Sequence, residues 1–80
     1  MQRVLVCDDE RHIVRLIQVN LERHGHNVDT CGSADECLAK LRTGAFDWLV
    51  VDSDMPDLIR QVENEFKGRI KITALGSRDK

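Results

Sequence analysis

Four short aliphatic runs alternate with three amphipathic stretches along 80 residues, and this alternation most constrains the fold. Arg3 to Cys7 is compact and apolar, the length of one buried strand. Asp8-Asp9-Glu10 stops it. From Arg11 to His24 the apolar residues Ile13, Leu16, Ile17 and Leu21 fall at helical spacing, and Gly25 follows as a C-cap. His26 to Cys31 is compatible with a strand centred on Val28 and Thr30. Ser33 and Glu36 then have the spacing of a capping box, opening a helix that carries Ala34, Cys37, Leu38 and Leu41 and ends at Gly44. Phe46 to Val51 is the strongest strand signal and runs into Asp52-Ser53-Asp54-Met55-Pro56. Asp57 is positioned to cap a third helix bearing Leu58, Ile59, Val62 and Phe66, with Gly68 closing it, and Ile70 to Leu75 is a fourth strand.

The order is therefore βαβαβαβ, an α/β chain. Such alternation implies a parallel sheet with right-handed crossovers, in which every strand's carboxyl end lies on one edge. Ligands bind at that edge. The length suits one domain, residues 1–80, with a thin core that buries roughly 60% of the unfolded surface. Twelve basic against fourteen acidic residues give a net charge of −2, which offers no footprint for nucleic acid or a membrane surface. No apolar run reaches bilayer length and no signal peptide is visible, so a cytoplasmic location is expected. The three cysteines lack metal-type spacing and read as reduced thiols, with Cys7 and Cys37 at apolar positions as small core residues. Zinc is not indicated by any Cys-x-x-Cys or His-x-x-x-His pair.

Asp8 and Asp9 end strand 1 and Asp52 ends strand 3. If those strands are neighbours, the three carboxylates converge and repel unless a cation joins them. Mg²⁺ suits such a site, being hard and oxygen-seeking. A carboxylate beside it can attack a phosphoryl group. The plainer reading is that Asp8 or Asp9 caps helix 1 and Asp54 or Asp57 caps helix 3.

Two stretches carry a resemblance. Val4-Leu5-Val6-Cys7-Asp8-Asp9-Glu10 before an amphipathic helix, and Gly44 to Pro56 with Asp52 three residues before Met55 and four before Pro56, together resemble a response-regulator receiver domain. The resemblance implies a flavodoxin-like sheet of strand order 2-1-3-4. It implies that Asp52 accepts phosphate from a phosphohistidine on a sensor histidine kinase or phosphotransfer protein. It also implies that Asp8 and Asp9 help hold Mg²⁺, with the backbone carbonyl of Asp54 as a further ligand. The function expected is that of a minimal receiver of a two-component phosphorelay, not an enzyme. The alternatives are a degenerate receiver that binds a partner without phosphorylation and, on Asp52-Ser53-Asp54, a haloacid-dehalogenase-like phosphatase fragment.

The family pattern is longer. A fourth helix, fifth strand and fifth helix have no counterpart here, nor does the lysine that ends the fifth strand; Lys71 and Lys80 fall in other elements. The switch hydroxyl of the family maps to two positions: Thr73-Ala74 matches its usual dipeptide, and Ser77 fits the length. Lys71 and Thr73 alternate with Ile70, Ile72 and Ala74, so strand 4 reads as covered on one face only. An exposed strand 4 edge predicts a homodimer through that edge or the face beside helix 1. Ile13, Val14 and Ile17 are expected to pack in the core, with a partner surface nearby. Trp48, near Asp52 in sequence, is expected to report on the site.

Overall fold

The computed structural model describes residues 2–75. The elements run β1 (Arg3–Cys7), α1 (Arg11–Arg23), β2 (Asn27–Cys31), α2 (Ala34–Leu41), β3 (Trp48–Asp52), α3 (Pro56–Phe66) and β4 (Lys71–Leu75). All neighbouring strands pair in parallel, in the order β2-β1-β3-β4. Both the flavodoxin-like order and the expected succession of elements are present.

The two central strands are aliphatic because both of their faces are covered. Val4, Leu5, Val6 and Cys7 of β1 are wholly buried, as are Leu49 and Val51 of β3. Leu5, Cys7, Leu49 and Val51 point to one layer with Leu38 and Leu41 of α2 and Leu58 and Val62 of α3. Val4, Val6 and Val50 point to the other, under Val14, Ile17 and Leu21 of α1. One helix thus covers a face that two helices cover on the opposite side. Trp48, half-buried, continues the α1 face towards β4. Its Nε1 donates to Thr73 Oγ1 at 2.9 Å, and Lys71 Nζ lies 4.7 Å from its ring centroid. The polar side chains that alternate along β4 therefore pack against an indole on that face.

Two helix starts differ from expectation. Ser33 caps α2, accepting from the Glu36 amide at 3.2 Å, and Glu36 Oε1 accepts from the Gly32 amide at 3.2 Å, one residue outside the usual reciprocal bond. For α3 the N-cap is Met55 with Pro56 in the first turn, so Asp57 is not the cap. Proline tolerates this start because its missing N–H would have no helical partner there. Asp57 instead stands in the first turn, where its charge complements the helix dipole. Leu16 also departs from its expected core role: it is 66% exposed, and Val19 is 43% exposed.

The end of α3 carries a local cost. Lys67 takes φ 48°, ahead of Gly68 at φ 85°. A side chain in the left-handed region costs about 1–2 kcal/mol that glycine avoids, against glycine's larger unfolded entropy. Lys67→Gly is expected to stabilise the fold by about 0.5–1 kcal/mol, read as a higher melting temperature; an unchanged or lower one would contradict this account.

Asp29 of β2 and Lys40 of α2 form an ion pair at 2.9 Å. The hydrogen bond from Lys40 holds the Asp29 carboxyl below the usual carboxylate range, and the same bond raises Lys40. A lowered carboxyl contributes stability above its ordinary pKa and loses it as pH falls through the folded value. The Asp29 side chain is 52% exposed, so water screens the pair. Asp29→Asn should cost no more than about 1 kcal/mol at neutral pH. That cost should be smaller at acidic pH, as falling pH protonates Asp29 through its folded value and removes its charge from the pair. Denaturation at neutral and acidic pH checks it, and a pH-independent cost would refute it.

Candidate phosphoryl-acceptor and metal site

Register assembles the site. Cys7 of β1 stands level with Val51 of β3, so one step further each strand reaches an aspartate. The chain turns there after both strands, into α1 and towards α3. Asp8, Asp9 and Asp52 each offer a carboxylate oxygen, and these oxygens lie within 4.8 Å of one another. Groups more than forty residues apart in sequence thus share one point at the sheet's carboxyl edge.

Their environments differ. Asp8 is 6% exposed and is the sole buried charged side chain among the described residues. Its Oδ1 accepts from the Glu10 amide at 3.0 Å. Burial pushes the Asp8 carboxyl up; the Glu10 amide opposes this, and the charges of Asp52 and Asp9 push it further up. Asp9 is exposed and Asp52 half-buried. Asp52 Oδ1 accepts from the Asp54 amide at 3.0 Å, and the Met55 amide donates to the Asp52 carbonyl at 3.1 Å. The turn after β3 therefore orients the carboxylate.

A cleft of about 350 Å³ opens over the group, lined by Asp9, Glu10, Gly32, Asp52, Asp54 and Met55. None of these side chains is basic. Three anionic oxygens from separate backbone segments, one of them desolvated, suit a hard divalent cation such as Mg²⁺, and their mutual repulsion is what such a cation relieves. The capping alternative falls away: the N-cap of α1 is Glu10, with no side-chain cap bond.

The remaining sequence candidates separate. Thr73 pairs with Val50, two rungs before Asp52 meets Leu75, and its hydroxyl holds the Trp48 indole. It does not line the cleft. Ser77, the other position, lies outside the described residues, as does Lys80. Lys71 stands beside Trp48 at the opposite end of β3. Four residues at ~3.3 Å put Trp48 roughly 13 Å from Asp52 along the strand, so the indole is a poor reporter for the site. Sequence reasoning missed Glu10 and Gly32 as cleft walls; Glu10 was visible as the third acid of its run.

The family model described as the response regulator receiver domain matches residues 4–67. The chain is 44% identical over 57 residues to the alkaline phosphatase synthesis transcriptional regulatory protein PhoP of Bacillus subtilis (strain 168), a match covering 71% of this chain and 24% of PhoP. It spans about a tenth to a third of the length of the curated relatives it matches. Among solved structures, response regulator TrrA of Thermotoga maritima in complex with Mg²⁺ and BeF superposes at TM-score 0.79 with 22% identity, over 99% of this chain and 90% of that one. A chain from the complex of histidine kinase ThkA with TrrA superposes at TM-score 0.81 with 30% identity, over 100% and 75%.

Proposed function

From a chain that belongs to the response regulator receiver domain family, we propose a receiver that accepts a phosphoryl group on Asp52 with Mg²⁺ held by Asp8, Asp9 and Asp52. The observation that carries this reading is the convergence of those three carboxylates within 4.8 Å. The backbone carbonyl of Asp54 is assigned as a further metal ligand, and Ser77 as the switch hydroxyl. The donor is a phosphohistidine on a sensor histidine kinase or phosphotransfer protein, and the kinase-bound relative supports that class of partner. Exposed Leu16 and Val19 on α1 give such a partner an apolar contact that Ile13, Val14 and Ile17, turned further inward, do not.

The chain's own residues divide the work. The Asp54 amide orients the Asp52 carboxylate. An Asp52 oxygen forms the new P–O bond while the P–N bond of the donor breaks, its electron pair passing to the imidazole nitrogen. Asp8 and Asp9 would hold the metal; Asp8 is buried and oriented by the Glu10 amide, so little motion is needed. The cleft lining offers no positive charge to the phosphoryl oxygens, which Mg²⁺ would supply when bound. Phosphorylation adds about −1.5 to −2 charges, so its dependence on the cation should be strict.

Because Mg²⁺ binds the assembled triad and not the unfolded chain, it should stabilise the fold by about 2.7 kcal/mol at a hundred times its dissociation constant. Urea denaturation with and without Mg²⁺ reads this. Asp8→Asn should lose most of the gain. An equal response in native chain and Asp8→Asn, or none in the native chain, would overturn the assignment.

A further inference from the structure

A second cluster lies one residue from the acidic one and differs from it in chemistry. Cys7 ends β1, Cys31 ends β2 as its register partner, and Cys37 lies on α2 above them. All three are unoxidised and buried, and their sulfurs lie within 4.8 Å of one another. Among the described residues no fourth His, Cys, Asp or Glu joins the group. Cys7 Sγ donates to the Ser33 carbonyl at 3.7 Å.

Single buried cysteines serve as small apolar residues. Three whose sulfurs converge from three elements make a set of donors as well as a part of the core. Sulfurs each about 2.3 Å from a common centre lie about 4 Å apart in a plane, within the observed bound. Soft sulfur donors select thiophilic cations and not Mg²⁺. Structural zinc closes its shell with four ligands, and this set supplies three. A cleft of about 440 Å³ lined by Arg11, Thr30, Gly32 and Glu36 among others touches Cys31 alone of the three, while Cys7 and Cys37 are wholly buried.

We propose that Cys7, Cys31 and Cys37 form a three-sulfur site for a thiophilic monovalent cation, Cu(I). Three thiol protons leave to solvent as three S–Cu bonds form, and the cation's single charge offsets one of the three thiolates so created. Thiol and carboxylate sites share strand ends: the Asp8 amide donates to the Cys31 carbonyl at 3.4 Å.

The test is anaerobic titration of the folded chain with Cu(I) against a chromophoric Cu(I) chelator, with X-ray absorption of the loaded native chain. One equivalent held, with three sulfur neighbours, is expected. That retention should be lost in Cys37→Ser, or in Cys37→Ala if the serine variant does not fold, and kept in Asp52→Asn. No retention by the native chain, fewer than three sulfur neighbours, undiminished retention in a folded Cys37 variant, or tighter binding of Zn²⁺ than of Cu(I) would each overturn the proposal.

Discussion

Asp52→Asn is expected to reduce phosphoryl uptake to background while leaving the fold intact. The amide oxygen of asparagine can still accept the Asp54 amide, so the turn after β3 keeps its hydrogen bond. What disappears is the anionic nucleophile. Intact-protein mass spectrometry after incubation with a small acyl phosphate and Mg²⁺ reads the outcome. The variant also removes one of three mutually repelling carboxylates. Without metal it should therefore be at least as stable as the native chain, while its Mg²⁺ affinity falls about tenfold or more, or ~1.4 kcal/mol. Labelling at native levels in the variant, or a modified residue that maps to Asp8 or Asp9, would count against Asp52 as acceptor.

Leu5→Ala should be the most damaging single core substitution. Leu5 is fully buried at the middle of β1, facing the layer that holds α2 and α3. Truncating such a leucine costs about 2–5 kcal/mol, the lost transfer energy plus the cavity left behind. A chain of 80 residues holds on the order of 4–12 kcal/mol in total. The variant should therefore be substantially unfolded or melt at a much lower urea midpoint. Leu16→Ala is the matched control: the same truncation at a 66% exposed position should change stability by no more than about 0.5 kcal/mol. A Leu5→Ala cost below about 1 kcal/mol would mean that the α2–α3 layer does not hold the sheet.

Leu16 also marks how far pattern reading reaches. It belonged to the apolar stripe counted along Arg11 to His24, yet it lies about 200° around the helix from buried Val14. Spacing alone admitted both, and contact with Val4, Val6 and Val50 on the sheet selected the face of Val14, Ile17 and Leu21. At the start of α3 the same limit appears. Asp57 has the chemistry of a cap, but Pro56 fits the first helical position, which moved the boundary to Met55. The Ser33–Glu36 box was legible because its bonds are made within five residues.

The candidate site was legible as a set of residue types at the sheet's carboxyl edge, and its register was not. Asp8, Asp9 and Asp52 stand out because acids end two aliphatic runs. That Thr73 stands opposite Val50, two rungs short of Asp52, is a matter of β3–β4 register that spacing did not give. The three cysteines gave no spacing signal at all, since their separations in sequence follow no ligand pattern.

By itself the sequence determined where strands and helices form and which acids close the strands, because these depend on side-chain periodicity, caps and turns within a few residues. Only the tertiary structure decided how far each strand slides against the next, and therefore which oxygens and which sulfurs meet. Those outcomes depend on burying both faces of the central strands at once, a balance that distant residues settle together and no local window contains.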